Sequence, residues 1–351
     1  MNFVNRASNK VFGDKLKIPV IQGGMGVGIS MGRLAGSVAA CGGMGVISTA
    51  LIGFREEDFY QNHVEADVRA LRKEIQTAKE IANGRGMIAI NAMTVTTDYG
   101  ECIEAAVMEG IDAVISGAGL PLALPELVDG KDVLIAPIVS SAKAAALIMR
   151  NWNKKCERRP DFIVVEGSGA GGHLGFKKEE LLQENYKHLT EIVSDVVKVC
   201  GDIPVFAAGG IFDADDIKKV LKCGAYGVQI GTRFIACDEC DASQGFKNKI
   251  IKAGSEDLMI IQSPVGLPGR ALKSALHEQV EREGRKAPSR CINCISTCDP
   301  KTTPYCISEA LIAGFNGDEE NGLFFSGENC GRIDKIVSVK DLMDELSKGF
   351  E

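Results

Sequence analysis

A histidine at the end of a glycine run has the most chemistry within reach in this sequence. Glu166-Gly167-Ser168-Gly169-Ala170-Gly171-Gly172-His173 follows an apolar stretch, and His173 is one of four histidines in 351 residues. Imidazole titrates near neutrality and is the commonest general acid or base. Small residues before it let the backbone approach a ligand closely. The run also contains a formal G-x-G-x-x-G at Gly167, Gly169 and Gly172, the spacing of a dinucleotide loop. Its context argues against that reading. It lies past mid-chain, His173-Leu174-Gly175-Phe176 does not continue as an apolar helix, and no second strand ending in an acid follows about 20 residues on. A short glycine-rich loop delivering a histidine to a pocket fits better than a structural or surface histidine.

Other runs end in small or amide residues. Gln22-Gly23-Gly24-Met25-Gly26 suits close approach to a flat ligand, with the polarizable Met25 against its ring; the plainer reading is a tight turn with a core methionine. Asn91 at a strand end offers several hydrogen bonds to a ring edge, although a lone asparagine is often a turn residue or helix cap. Ser116-Gly117-Ala118-Gly119 is a further small-residue edge. Ala208-Gly209-Gly210-Ile211 and Gln229-Ile230-Gly231-Thr232-Arg233 form a pair. Backbone N–H groups of such glycines, helped by the Thr232 hydroxyl, suit a phosphate; the alternative is glycines needed only for turns.

Four of the twelve cysteines, Cys291, Cys294, Cys298 and Cys306, are spaced C-x2-C-x3-C-x7-C. With no export signal in view, the thiols read as reduced. Four thiolates so close point to a metal, and the spacing favours an Fe–S cluster over zinc, with free thiols as the alternative.

The elements that must position these residues alternate. Apolar runs at 18–22, 45–48, 87–91, 113–116, 133–137, 162–166, 205–208 and 227–231 have the length and near-continuous apolarity of strands buried on both faces. Helical patterns lie between most of them, at 31–41, 56–82, 98–109, 122–128, 140–150, 179–199 and 214–222, with Asp98 and Asp213 as N-caps and Gly110 and Gly224 as stops. Eight strand–helix units predict a closed α/β (β/α)8 TIM barrel, with an open doubly wound sheet as the alternative. Chemistry then sits at the carboxyl ends of the strands, where every motif above falls. The alternation stops after Gly231. The expected division is a barrel over 1–233, which the resemblance given below implies to be FMN-binding, then 234–351: a helical segment, the cysteine cluster (291–306) and a C-terminal helix packing back on the barrel.

Composition narrows the classes. Forty glycines exceed the usual ~7%. A formal net charge of −7 argues against nucleic acid or an anionic membrane as partner. The N-terminus lacks an apolar leader, and no run reaches the ~18 apolar residues of a membrane span. The expected location is cytoplasmic.

In the order Gln22-Gly23-Gly24-Met25, Asn91-Ala92-Met93, Gly117-Ala118-Gly119, Ala170-Gly171-Gly172-His173, Ala208-Gly209-Gly210-Ile211 and Gly231-Thr232-Arg233-Phe234, the chain resembles the nitronate monooxygenase (2-nitropropane dioxygenase) family and its relative, the flavin-dependent enoyl-acyl-carrier-protein reductase. The resemblance spans about residues 15–280. It implies FMN contacts at Gly24, Met25, Asn91, Gly171, Gly172, Gly209, Gly210, Gln229, Gly231 and Thr232, and His173 as a catalytic residue beside the flavin. It implies either oxidation of alkyl nitronates with His173 as base, or NAD(P)H-dependent reduction of an activated C=C bond. An Fe–S cluster near the flavin would favour the reductase; the cysteine run departs from the family pattern. Expected partners are a small-molecule or acyl-thioester substrate, with a homodimer and an electron-donor protein as further candidates. A non-enzymatic, phosphate-binding barrel is the reading of another class.

Overall fold

The computed structural model describes residues 9–351. The leaderless reading of the N-terminus falls largely on residues 1–8, outside the described residues.

In chain order the first elements are α1 (Asn9–Phe12), β1 (Val20–Gln22), α2 (Gly32–Ala40), β2 (Met44–Ser48), α3 (His63–Ala82), β3 (Met87–Met93) and α4 (Tyr99–Met108). Then come β4 (Ala113–Gly117), α5 (Leu124–Leu127), β5 (Leu134–Val139), α6 (Ala142–Cys156), β6 (Ile163–Glu166), β7 (Gly172–His173), α7 (Lys178–Leu182), α8 (Leu189–Cys200), β8 (Val205–Ala208), α9 (Ala214–Lys222) and β9 (Gly227–Ile230). Eight of the strands, β1 to β6 with β8 and β9, are parallel neighbours, and β1 pairs with β9 through Ile21 and Gln229. The sheet is therefore a closed barrel, and the open-sheet alternative falls.

Each strand buries both faces, which is why its sequence reads as a continuous apolar run. Ile21, Val46, Ile115, Val164 and Phe206 fill the barrel interior, while Val20, Ile47, Val114, Val165 and Val205 face the helices. Phe12 of α1 closes the amino-terminal end, edge-on to Phe162 at 5.6 Å and to Phe206 at 5.7 Å, and stacked on Tyr226 at 5.4 Å. Burying a ring of this size contributes roughly 1.5–3 kcal/mol.

Several helix limits differ from the sequence reading for local reasons. The stretch 179–199 is two helices, because a second cap restarts at His188, whose N–H donates to the Glu191 carboxylate at 3.0 Å. Helix α3 begins at His63; the residues before it form turns, where the Gly53 N–H donates to Asp67 Oδ1 at 2.6 Å. Asp213 caps α9 by accepting from the N–H groups of Asp215 and Asp216, both at 3.0 Å. Asp98 precedes α4 but does not cap it; its carboxylate accepts from the Cys102 thiol at 3.2 Å.

Beyond β9 lie α10 (Thr232–Ile235), α11 (Gln244–Lys252), β10 (Leu258–Gln262), β11 (Pro268–Leu272), α12 (Ala275–Glu283), α13 (Ile307–Phe315) and α14 (Val339–Ser347). Strands β10 and β11 form a hairpin, and β7 adds to its edge: Gly269 pairs with His173, and Arg270 with Gly172. His173 therefore sits on a three-stranded sheet, not on the free glycine loop expected. Helix α14 packs against α2 and α9, burying Val339, Leu342, Met343 and Leu346. A bidentate pair fixes it: Arg233 Nη1 and Nη2 donate to Glu345 Oε1 and Oε2 at 2.6 and 3.0 Å. Among the described residues, no helix is long and apolar enough to cross a membrane.

Candidate active site

The carboxyl ends of the barrel strands open into one cleft, and every residue expected at a flavin or catalytic position lines it: Gly24, Met25, Asn91, Gly171, Gly172, His173, Gly209, Gly210, Gln229, Gly231 and Thr232. The barrel does this by register: Asn91 and Gln229 lie near the carboxyl ends of β3 and β9, the glycines at 24, 209, 210 and 231 follow β1, β8 and β9, and β7 carries Gly172 and His173 back over the mouth.

Gln22, fully buried, anchors the first loop. Its amide donates to Ser30 Oγ at 2.8 Å and to the Val46 carbonyl at 3.2 Å, and the Met25 N–H donates to the same Ser30 oxygen at 2.9 Å. A Cβ on Gly24 would land on the Asn91 side chain, 2.9 Å from its Cγ, so glycine is required where these two loops meet. Gln229 Oε1 is buried with no hydrogen-bond partner. An orphaned acceptor at a cleft wall is the mark of a missing donor, and the N–H edge of a flavin ring supplies one.

His173 is half-buried in the wall. Its Nε2 lies 2.7 Å from Ser263 Oγ in the β10–β11 turn, and Phe325 packs edge-on at 5.2 Å. Desolvation pushes its pKa down to about 4, so the ring is neutral at neutral pH and keeps one nitrogen as an acceptor. Glu166, at the end of β6, lines the same cleft, and desolvation pushes its carboxyl up to about 8. A neutral base and a protonated acid thus share one cleft, the pairing of perturbed groups that marks active sites.

Three of these features escaped the sequence reading. Glu166 was visible as the acid ending a strand, but its burial was not. Ser263 reaches His173 only through the β7–β11 pairing. The third is a strap over the barrel mouth, Phe325-Ser326-Gly327-Glu328-Asn329. The Gly327 N–H donates to Thr232 Oγ1 at 2.9 Å, the Glu328 N–H to the Gly169 carbonyl at 3.1 Å, and Asn329 Nδ2 to the Gly210 carbonyl at 2.8 Å. A Cβ on Gly171 would strike the strap backbone 2.5 Å from the Gly327 nitrogen.

The ring end of the cleft fits FMN through Met25, Asn91 and the orphaned Gln229. At the other end, where a phosphate is expected, Gly209 and Gly210 at φ 88° and 79° turn the backbone beside Thr232.

The four-cysteine expectation of a metal finds no support. Cys291, Cys294, Cys298 and Cys306 do line one small cavity with Tyr60 and Arg290. Among the described residues, however, no three His, Cys, Asp or Glu side chains converge as ligands for a metal ion, and all the cysteines are free. Three of the four sulfurs have polar partners other than a metal, with Ser308 serving two of them. Cys294 Sγ lies 2.9 Å from the Ser308 hydroxyl, the Cys291 sulfur accepts from the Asn293 N–H at 3.4 Å, and Cys306 precedes α13 facing the N–H groups of Ser308 and Glu309. Neither an Fe–S cluster nor zinc gains support from this arrangement.

Comparison with known proteins gives a consistent picture. The family model described as nitronate monooxygenase matches residues 9–349. A curated relative from Mycobacterium tuberculosis (strain ATCC 25618 / H37Rv), named (3aS,4S,5R,7aS)-5-hydroxy-7a-methyl-1-oxo-octahydro-1H-indene-4-carboxyl-CoA dehydrogenase, is 24% identical over 359 aligned residues, covering 93% of this chain and 91% of that one. Solved FabK from Thermotoga maritima superposes with TM-score 0.75 at 24% identity, covering 99% of this chain and 96% of its own. Nitroalkane oxidase from Streptomyces ansochromogenes gives TM-score 0.74 at 18% identity, over 98% and 97%.

Proposed function

The chain belongs to the nitronate monooxygenase family, and from that premise we propose that this flavin oxidoreductase oxidises alkyl nitronates, with His173 as the base that takes the α-proton of the parent nitroalkane and then faces the nitronate so formed. The observation that carries the reading is the state of His173: desolvated, neutral, and positioned by Ser263 at the wall of the cleft. A neutral imidazole can take a proton from a carbon acid, or hold one nitrogen toward its conjugate anion, without first losing a proton of its own.

In this reading FMN, when bound, supplies the redox step. Met25, Asn91 and Gln229 hold the ring end, with Gly24 giving close approach. Gly171, Gly172, Gly209, Gly210, Gly231 and Thr232 hold the rest. Ser263 fixes the imidazole plane, and Phe325 excludes water from one side of it.

One observation favours a second reading, NAD(P)H-dependent reduction of an activated C=C bond in a small molecule or acyl thioester. Glu166 is held protonated in the same cleft, and saturating a double bond needs a proton donor, whereas oxidising a nitronate does not. The test is direct. Purified protein loaded with FMN is given ethyl nitronate or nitroethane and O2 without NADH, and nitrite is measured. Nitrite release from the nitronate, together with release from nitroethane that falls by about a hundredfold or more in His173→Asn, supports the first reading. NADH oxidation dependent on an enoyl thioester, with no nitrite from the nitronate, overturns it in favour of the second.

A further inference from the structure

The phosphate end of the cleft holds a carboxylate of the chain itself. A Cβ on either Gly169 or Gly210 would land on Glu328, so its carboxylate occupies the crevice between the loops after β6 and β8. Strap hydrogen bonds from the backbone and from Asn329 put it there; none comes from the Glu328 side chain. No Lys or Arg pairs with Glu328 among the described residues. Arg233 pairs with Glu345 and Arg332 with Asp213 and Asp216, while Arg270 donates from Nη2 to the Ser168 carbonyl and keeps a buried Nε with no partner; none of the three pairs with Glu328.

A crevice built from glycine N–H groups and a threonine hydroxyl attracts an anion. Two anions at contact distance in it repel, by an amount that the solvent around the exposed Glu328 reduces but does not cancel. The residue is largely exposed, so its side chain has room to rotate outward. We propose that Glu328 is an acidic stopper of the phosphate end, which the phosphate of FMN must displace to enter. The displacement sets cofactor affinity and makes it depend on the phosphate, not on the ring. The inference rests on the flavin reading of the cleft and is independent of which substrate is turned over.

The test compares two flavins that differ only in the phosphate. Full-length apoprotein is titrated with FMN and with riboflavin, followed by flavin fluorescence, for wild type, Glu328→Gln and Glu328→Ala. Both variants keep the strap's own hydrogen bonds, and Glu328→Gln keeps its shape. FMN affinity is expected to rise on the order of tenfold, or ~1.4 kcal/mol, while riboflavin affinity changes by less than about twofold. Weakening of both flavins would assign Glu328 to the ribityl hydroxyls and overturn the stopper. Unchanged FMN affinity, or equal tightening of both flavins, also overturns it. Folded protein that binds neither flavin in any variant fails the flavin reading itself, and the stopper with it.

Discussion

Acidification is the perturbation that tests His173 most directly. The ordinary imidazole value is about 6.5, and desolvation in the cleft wall brings His173 to about 4. At about pH 5.5 an unshifted histidine would be about 90% protonated, whereas His173 would be about 3% protonated, a contrast of some thirtyfold in imidazolium. The assay is a histidine NMR titration from about pH 8 to 3.5, with the His173 resonance assigned by its loss in His173→Asn. That assignment is necessary because burial also lowers His277. A midpoint near 4 is expected, and it should stay within about a unit in Ser263→Ala, since burial and not the serine is the cause. The sign for stability follows. The unfolded chain takes up the proton first, so the contribution is present above about 6.5 and is lost as pH falls toward 4. A midpoint near 6.5 in folded protein would refute the desolvation argument and, with it, the neutral base at mildly acidic pH.

Glu166 has the opposite sign. Its raised folded value makes its contribution present below the unfolded value and lost as pH rises through about 8, so Glu166→Gln should raise Tm by a few degrees at pH 8–9 and leave it nearly unchanged at pH 5, read by differential scanning calorimetry. Gly24→Ala forces a Cβ into Asn91, and an overpacking cost of about 1–3 kcal/mol should weaken flavin binding by roughly tenfold or more; unchanged affinity would mean the two loops do not meet as described. Thiol labelling should follow exposure: Cys291 reacts first in native protein, while Cys102, whose thiol is pushed far up by burial, reacts only on unfolding, as timed mass spectrometry would show.

What the sequence made legible was set by contacts near in the chain or repeated along it. The apolar runs marked every barrel strand because two-sided burial leaves no polar alternation to confuse them. The glycine, asparagine and glutamine positions were legible because the barrel carries strand ends to one mouth. Long-range pairing left no such trace. Strand β7 is two residues long, and its partner Gly269 lies far along the chain, so nothing local separates it from a glycine loop. Glu328 and Ser263 enter through the same kind of pairing. The cysteines show the reverse case, a spacing that suggests more than the geometry supports. Their spacing gathered four residues around one cavity, but sulfur direction depends on Ser308, Asn293 and the first turn of α13, which spacing does not encode.

The strap over the barrel mouth has a consequence for how the protein is made. Synthesis delivers the chain from its amino end, and the barrel can close once β9 has emerged to meet β1. At that stage the loops around the cleft exist without a roof. Residues 325–329 leave the ribosome roughly a hundred residues later, followed by the helix whose Glu345 locks Arg233. A nascent chain therefore passes through an interval as a finished barrel with an open mouth, and the site becomes complete only once residues 325–329 have followed and docked on the loops after β6, β8 and β9.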